Sequence, residues 1–342
     1  MSTVQPLPAA GARYRRNDYD VTDTVQVSVT SAVESAVRQL FAEQWPDGDF
    51  LPIEKSFGMF ESLFSGQLAG YNGVDTVYHD RQHSLDVVLA MARLLVGYER
   101  TTAQDEHFGF ERAKMGLVTA LFHDAGYIRH QSDTLKNGAE YTRSHVSRSA
   151  RFIANFMPTL GMSDWVPIAT RVVHFSGYEV PFAKIHLTDW RDRKIGHLLG
   201  TADFIAQMAD RCYLEKCRDR LYPEFVLGGA ALNRTVDGDV SLVYGSGLDL
   251  LRKTPEFVAY TMRERLDGEF GSAYRYMEAL FDGKNPYLSA IQQHLAFLRV
   301  ILKTEDWPLL RRNPPCFTSD PNALPDVRRL MLERLREAWQ NS

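Results

Sequence analysis

The chain has 342 residues and a formal net charge of −4 at pH 7, with 44 % hydrophobic and 24 % charged residues. That composition is typical of a globular protein, and the length suits one large domain or two ordinary ones. The weakly acidic balance provides no positive field and so argues against a nucleic-acid partner. We also expect no membrane span, because no apolar run is long enough to cross a bilayer.

Cysteine usage and the first residues bear on the location of the protein. The chain has three cysteines, Cys212, Cys217 and Cys316, which are too few for a disulfide framework and include no CxxC pair. The N-terminal sequence lacks the basic and then apolar pattern of a secretory signal. We therefore expect a soluble, cytoplasmic protein.

The predicted elements are almost all helices. Residues 1–30 mix proline, glycine and arginine, and we interpret them as a mobile or loosely docked N-terminal arm. From Ser31 apolar residues recur at steps of three and four, which predicts a helix that ends near Trp45. Further helices are predicted over 56–68, 79–98, 110–125, 142–158, 164–174, 190–217, 246–266, 270–281, 286–303 and 325–340. The only strand signal is a small hairpin over 234–243, around Asp237.

This pattern predicts an all-α protein. Residues 31–305 would form one catalytic helical domain, with its motifs concentrated in 78–215. Residues 306–342 would be a C-terminal extension that carries an amphipathic terminal helix. That helix could dock on its own core or on a second subunit; we favour the core, and a homodimer stays open.

The first motif lies in a run that otherwise reads as a buried helix. Residues 78–87 read YHDRQHSLDV and are followed by a nearly continuous apolar stretch. If 79–98 is helical, His79, His83 and Asp86 lie along one face. Burying such groups is costly unless they are paired or bound to a metal, so the motif predicts a metal site.

The second motif, at 121–126, reads LFHDAG and carries His123 and Asp124 at the end of another apolar run. Gly126 is a natural end for that helix. Adjacent side chains on a helix diverge by about 100°, so His123 can face one ion while Asp124 reaches between two.

Three further candidates occur in or beside apolar helical stretches. They are His145, His174 and Asp203, each on a different predicted helix. Ligands from several helices converge in the interior of a helical bundle. Imidazole and carboxylate together suit Mn, Fe, Co, Zn or, less well, Mg.

The order His…His-Asp…His…His…Asp over about 78–215 resembles the HD superfamily of metal-dependent phosphohydrolases. The block YHxxxHxxDV at 78–87 is also similar to the opening motif of class I cyclic-nucleotide phosphodiesterases, which belong to that superfamily. The resemblance implies an HD-type helical bundle with additional helices at its N-terminal and C-terminal ends. It also implies two divalent metal ions as cofactors.

The resemblance assigns roles to residues. The implied ligands of the first ion are His83, His123, Asp124 and Asp203. Asp124 would bridge to a second ion held by His145 and His174, and the histidine that matches His79 acts as a general acid. Two ions about 3.5–4 Å apart can clamp a phosphoryl group and generate hydroxide at neutral pH.

The predicted substrate is a small phosphate ester such as a nucleotide. We name Arg81, Tyr127 and Gln207 as candidate substrate contacts, because each lies next to a ligand segment or shares its face. Tyr127 also departs from the known branches. The cyclic-di-GMP branch has lysine at that place, and class I phosphodiesterases have a second histidine, so neither substrate transfers to this chain.

Two other functions remain open. A mixed-valent di-iron oxygenase on the HD fold would use the same six ligands, so the spacing alone does not separate it from a phosphohydrolase. A non-catalytic nucleotide-binding regulatory module would retain the fold without the reaction. Metal content and iron-dependent oxygen consumption discriminate among the three.

Overall fold

Twelve α-helices build most of the ranges 16–234 and 240–340, which the computed structural model describes. In chain order they are α1 (Thr30–Gln44), α2 (Leu51–Phe64), α3 (Arg81–Thr101), α4 (Gly109–Leu121), α5 (His145–Phe156), α6 (Val166–Val172), α7 (Trp190–Ala209), α8 (Tyr213–Lys216), α9 (Tyr222–Leu227), α10 (Gly247–Tyr260), α11 (Pro286–Thr304) and α12 (Ala323–Gln340). The prediction of an all-α protein is confirmed. None of the helices within these ranges combines the length and the apolar character that crossing a membrane requires.

Shorter helical segments of other types and one hairpin connect the α-helices. Cys217–Leu221 and Thr261–Glu269 are π-helical, and Ala273–Leu280 is a 3-10 helix. Strand β1 (Leu232–Arg234) pairs antiparallel with β2 (Val240–Leu242). The arms of the predicted hairpin are thus present, while its turn at 235–239 lies outside the described residues.

Helix α3 is the centre of the structure. Every residue from Gln82 to Glu99 is buried, as the nearly continuous apolar sequence predicts. The helix packs against α1, α4, α7 and the 3-10 segment. Gly97 permits the last of these contacts, because a Cβ there would collide with the carbonyl oxygen of Tyr276. The helix is therefore buried along almost its whole length.

The start of α3 corrects one prediction. Asp80 is the N-cap, and its side chain accepts a hydrogen bond from the backbone N–H of His83 over 3.2 Å. The helix therefore begins at Arg81, and His79 precedes it instead of forming part of it. His79 and His83 come together through the capped turn and not through a shared helical face.

The end of α4 also differs from the prediction. The helix ends at Leu121, so His123 and Asp124 lie in the turn that follows it. Gly126 does not end the helix; it lets this turn approach the start of α5, because a Cβ there would collide with the carbonyl oxygen of His145. The close approach brings His123 and Asp124 next to His145.

The N-terminal segment is docked from residue 16 onward, which corrects the interpretation of a loose arm. Val27 is fully buried in the main core. Asp20 is fully buried as well, and its Oδ2 accepts a hydrogen bond from Arg93 Nη2 over 2.7 Å. Residues 1–15 of the predicted arm lie outside the described residues.

The terminal helix α12 packs on α9. Ala323, Val327 and Leu330 join Val77 and Leu227 in a second, smaller apolar cluster. The helix therefore docks on the body of its own chain, as predicted.

Candidate metal centre

Five polar side chains converge from four places in the fold. His83 comes from the first turn of α3, and His123 and Asp124 come from the turn after α4. His145 is the first residue of α5, and Asp203 lies in the second half of α7. The packing of α3 against α4 and α7 brings these elements together around one point.

The ligand atoms of the first predicted site lie close to one another. His83 Nε2 is 3.4 Å from Asp124 Oδ2 and 3.4 Å from Asp203 Oδ1. His123 Nε2 is 3.3 Å from Asp124 Oδ2 and 3.8 Å from Asp203 Oδ1. The side chains of His123 and Asp124 are almost fully buried, and those of His83 and Asp203 are 8 % and 14 % exposed.

These atoms fit a metal ion. His123 Nε2 and Asp124 Oδ2 are buried and have no hydrogen-bond partner. Four donors at bonds of about 2.1 Å in a tetrahedron lie about 3.4 Å apart, close to the distances observed here. His83, His123 and Asp203 each offer a ligand atom, all within 4.8 Å of one another, and form a candidate metal site.

Backbone carbonyls set the orientation of two of the imidazoles. The ring Nδ1 of His123 lies 2.8 Å from the carbonyl oxygen of Ala120, and that of His145 lies 2.8 Å from the carbonyl oxygen of Thr142. Because a carbonyl only accepts, each Nδ1 carries the proton. The Nε2 of each ring is then the atom available as a ligand, and it is the atom that faces Asp124.

The electrostatics of the cluster favour positive charge. Burial lowers the pKa of His83, but the nearby carboxylates of Asp124 and Asp203 outweigh burial and raise it to about 10. The pKa of His123 is raised by Asp124 against the same effect of burial. Burial raises the pKa of Asp124, yet the neighbouring imidazoles hold it well below its ordinary value. A bound cation would satisfy the same carboxylates.

The second predicted site is less closely assembled. Asp124 Oδ1 points away from the first cluster and lies 3.6 Å from His145 Nε2. His174 follows α6 in a short 3-10 turn, and its buried Nδ1 has no hydrogen-bond partner. Among the residues that the structure describes, His174 has no carboxylate oxygen within 4.0 Å. The bridging position of Asp124 is thus the main support for a second ion.

His79 has a partner that sequence reasoning missed. Its Nδ1 lies 2.6 Å from Glu224 Oε2, and Glu224 Oε1 accepts a hydrogen bond from the backbone N–H of Tyr78 over 2.6 Å. Glu224 is 1 % exposed and belongs to α9. No local pattern marks it, because 145 residues separate it from His79. The pair fixes the His79 ring beside the ligands.

Tyr127 packs against two of the imidazoles. Its ring stacks on His79 at 4.5 Å between centroids and on His145 at 4.3 Å. Burial, with a smaller contribution from Asp124, raises the pKa of its hydroxyl well above the ordinary value. Tyr127 also lines the cavity that His79 and His145 line, so its role as a substrate contact stays a prediction.

The other two candidate substrate contacts, Arg81 and Gln207, lie in different places. Arg81 is directed toward α2, where its Nη1 donates a hydrogen bond to Glu61 Oε1 over 2.9 Å. It does not line the cavity beside the metal-ligating residues. Gln207 does line that cavity, and its Oε1 accepts a hydrogen bond from the Tyr78 hydroxyl over 3.1 Å.

A cavity of about 470 Å³ opens directly from the cluster. His79, His83, Asp124, His145 and Asp203 line one end of it. Its size is that of a pocket for a small organic molecule. The candidate metal centre therefore lies at the wall of a cavity of that size.

Comparisons of the chain with family models, with curated proteins and with solved structures found no match.

Proposed function

We propose that this protein is a metal-dependent phosphohydrolase on an HD-type helical bundle, the function that the resemblance implies. The proposal gains support from ligands that are distant in sequence and adjacent in space. His83, His123, Asp124 and Asp203 meet at one point, and a cavity large enough for a small phosphate ester leads to them.

The placement of Asp124 carries the proposal. One of its oxygens faces His83 and His123, and the other faces His145. A carboxylate that reaches two groups of imidazoles in this way can bridge two ions. A structural carboxylate would be expected to have its buried oxygens satisfied by hydrogen bonds, whereas Asp124 Oδ2 has no such partner.

His83, His123, Asp124 and Asp203 would hold the first ion, and Asp124, His145 and His174 the second. When bound, such ions supply Lewis acidity toward a phosphoryl oxygen and lower the pKa of a coordinated water. The protein contributes the orientation of the ligands. The carbonyl groups of Ala120 and Thr142 fix two of the imidazoles before any ion or substrate binds.

His79 is the proposed proton donor for the leaving oxygen. Glu224 Oε2 lies 2.6 Å from its Nδ1 and fixes the ring plane. Tyr127 supports one face of the ring. His79 lines the cavity at the metal-ligating end, so the ring is within reach of an ester bound there.

The direct experiment is a hydrolysis screen with defined metal content. The purified protein is stripped with a chelator, reloaded with Mn, Fe, Co, Mg or Zn, and tested on linear and cyclic nucleotides and simple phosphate esters. We expect the stripped protein to be inactive and at least one metal to restore phosphate release. Full activity in the stripped protein, or inactivity with every metal, would contradict the proposal. Oxygen consumption with an iron-dependent paramagnetic signal would favour the oxygenase instead.

A further inference from the structure

Most of the cavity wall is apolar. Its apolar lining residues include Phe204 of α7, Cys217 and Leu221 of the π-helical segment, Phe225 of α9, and Leu250 and Phe257 of α10. A phosphate group alone fills a small part of about 470 Å³. The remaining volume is therefore available to the organic part of the substrate, and its wall is mostly hydrocarbon.

Two polar side chains of the lining already have hydrogen-bond partners. The Thr254 hydroxyl donates to the carbonyl oxygen of Leu250 over 2.9 Å, and Gln207 Oε1 accepts from the Tyr78 hydroxyl over 3.1 Å. A nucleobase brings several ring nitrogens and exocyclic groups that need new partners when they leave water. Each one buried without a partner costs on the order of 1–3 kcal/mol.

The cationic side chains at the cavity also have partners. Among the described lining residues, Arg143 and Lys253 are the arginine and lysine side chains. Arg143 Nη2 donates to the carbonyl oxygen of Gly229 over 3.0 Å, and Lys253 Nζ contacts Asp249 Oδ2 over 3.1 Å. A nucleoside di- or triphosphate would require several free cations beyond the metal centre.

We propose that the substrate is a phosphate ester of an apolar alcohol, with its alkyl or aryl group against Phe204, Phe225, Leu250 and Phe257. This inference rests on the proposed phosphohydrolase function. In the reaction a water oxygen bonds to phosphorus and the bond from phosphorus to the alcohol oxygen breaks. His79 protonates the leaving alcohol, the proton of the water passes to solvent, and the products are the alcohol and phosphate.

The test is a chain-length series on the metal-loaded protein. Ethyl, butyl, hexyl and octyl phosphate and thymidine 5′-phosphate are all esters of primary alcohols, so their leaving groups are matched. Burial of each methylene should raise kcat/KM about fourfold until the cavity is full, and by at least about a hundredfold from ethyl to octyl. Values independent of chain length, or a faster nucleotide, would overturn the inference. All measurements are made below the micellar concentration.

Affinity measurements test this inference independently of the proposed function. Ethylphosphonate and octylphosphonate cannot be hydrolysed, and calorimetry measures their affinities for the same metal-loaded protein. If no ester is hydrolysed but octylphosphonate binds at least about tenfold more tightly, the phosphohydrolase proposal fails and the apolar site stands. Equal affinities, or no binding of either, would overturn the apolar site whatever the enzyme hydrolyses.

Two residues of α10 provide matched variants. Phe257 lines the cavity and is 37 % exposed, whereas Tyr260 is 49 % exposed and does not line it. The Phe257→Gln substitution should reduce the octyl-to-ethyl ratio of kcat/KM about tenfold, because part of the apolar wall becomes polar. Tyr260→Gln should leave the ratio unchanged. An equal ratio in both variants and the unmodified protein would contradict the role of this wall.

Discussion

Two clusters of buried charges on α3 differ in how their polar atoms are satisfied. Near the middle of the helix, Arg93 donates to Asp20 over 2.7 Å and to the Tyr287 hydroxyl over 2.8 Å. At the start of the helix, the cluster around Asp124 keeps a buried nitrogen and a buried oxygen without hydrogen-bond partners.

This difference distinguishes a structural cluster from a binding cluster. The Asp20–Arg93 pair is completed by the protein itself, with further hydrogen bonds to Asp20 Oδ1 from the backbone N–H groups of Thr24 and Val25. An unpaired buried polar atom costs about 1–3 kcal/mol, so the cluster at Asp124 is the one that an added ion would stabilise. Substitution in the two clusters should therefore affect different properties.

The largest effect is expected at Asp124. Asp124→Asn removes the charge that faces His83, His123 and His145, so metal content should be lost and phosphate release should fall by more than about a thousandfold. Elemental analysis and the hydrolysis assay measure both effects. Asp192→Asn is the matched control, because Asp192 is also buried but is bonded to Arg112. Equal metal content in the two variants would contradict the distinction.

His79 should affect turnover without affecting metal content. His79→Gln removes the proposed proton donor, and kcat for alkyl phosphates should fall by about 10²–10⁴. The loss should be much smaller for an ester whose leaving group is weakly basic, since that group needs no proton. An equal loss for both esters would assign His79 a structural role. Glu224→Gln should show the same leaving-group dependence with a smaller loss of about 10–100-fold.

Asp20 should affect stability without affecting the metal. Asp20→Asn leaves the charge of Arg93 buried without its counter-ion, so the free energy of unfolding should fall by about 3–5 kcal/mol. Urea unfolding of the two proteins measures the change. Metal content should equal that of the unmodified protein. A loss below about 1 kcal/mol would show that this cluster is not what fastens the N-terminal segment.

The smallest effect is expected from pH, which changes the stability that the Asp20–Arg93 pair contributes. Burial raises the pKa of Asp20, but Arg93 and hydrogen bonds from Thr22 and Val25 outweigh it and lower the pKa from 3.8 to about 2. Stability from a lowered carboxyl pKa is present above the unfolded value and is lost as pH falls through the folded value. The difference in the free energy of unfolding between the unmodified protein and Asp20→Asn should thus shrink by about 2 kcal/mol between pH 5 and pH 2. A difference in the free energy of unfolding that stays constant between pH 5 and pH 2 would contradict the lowered pKa of Asp20.

Much of the architecture follows from local sequence patterns. The nearly continuous apolar run of α3 predicts a buried central helix, and the histidines and aspartates within such runs mark the candidate ligands. The N-cap was a readable signal as well: Asp80 stands three residues before His83, a spacing typical of helix starts. The π-helical segment Cys217–Leu221 has no such signature. Its i→i+5 hydrogen bonds change the number of residues per turn, and helix prediction relies on the spacing of the α-helix.

Contacts between distant segments could not be predicted. Glu224 and His79 are 145 residues apart, and Asp20 and Arg93 are 73 residues apart. Tyr127 was expected to meet substrate because it follows His123 and Asp124, and it does line the cavity. Its stacking on His79 and His145 depends on where α5 packs, which the sequence does not show. Sequence neighbours locate a site, whereas tertiary packing decides which face of each side chain is free.

The central claim concerns where a metal binds, and anomalous diffraction from crystals soaked in Mn²⁺ tests it most directly. We expect a strong peak within about 2.0–2.3 Å of His83 Nε2, His123 Nε2, Asp124 Oδ2 and Asp203 Oδ1. A second peak between Asp124 Oδ1 and His145 Nε2 would establish the two-ion site. No peak at His83, His123, Asp124 and Asp203 in fully soaked crystals would contradict the account.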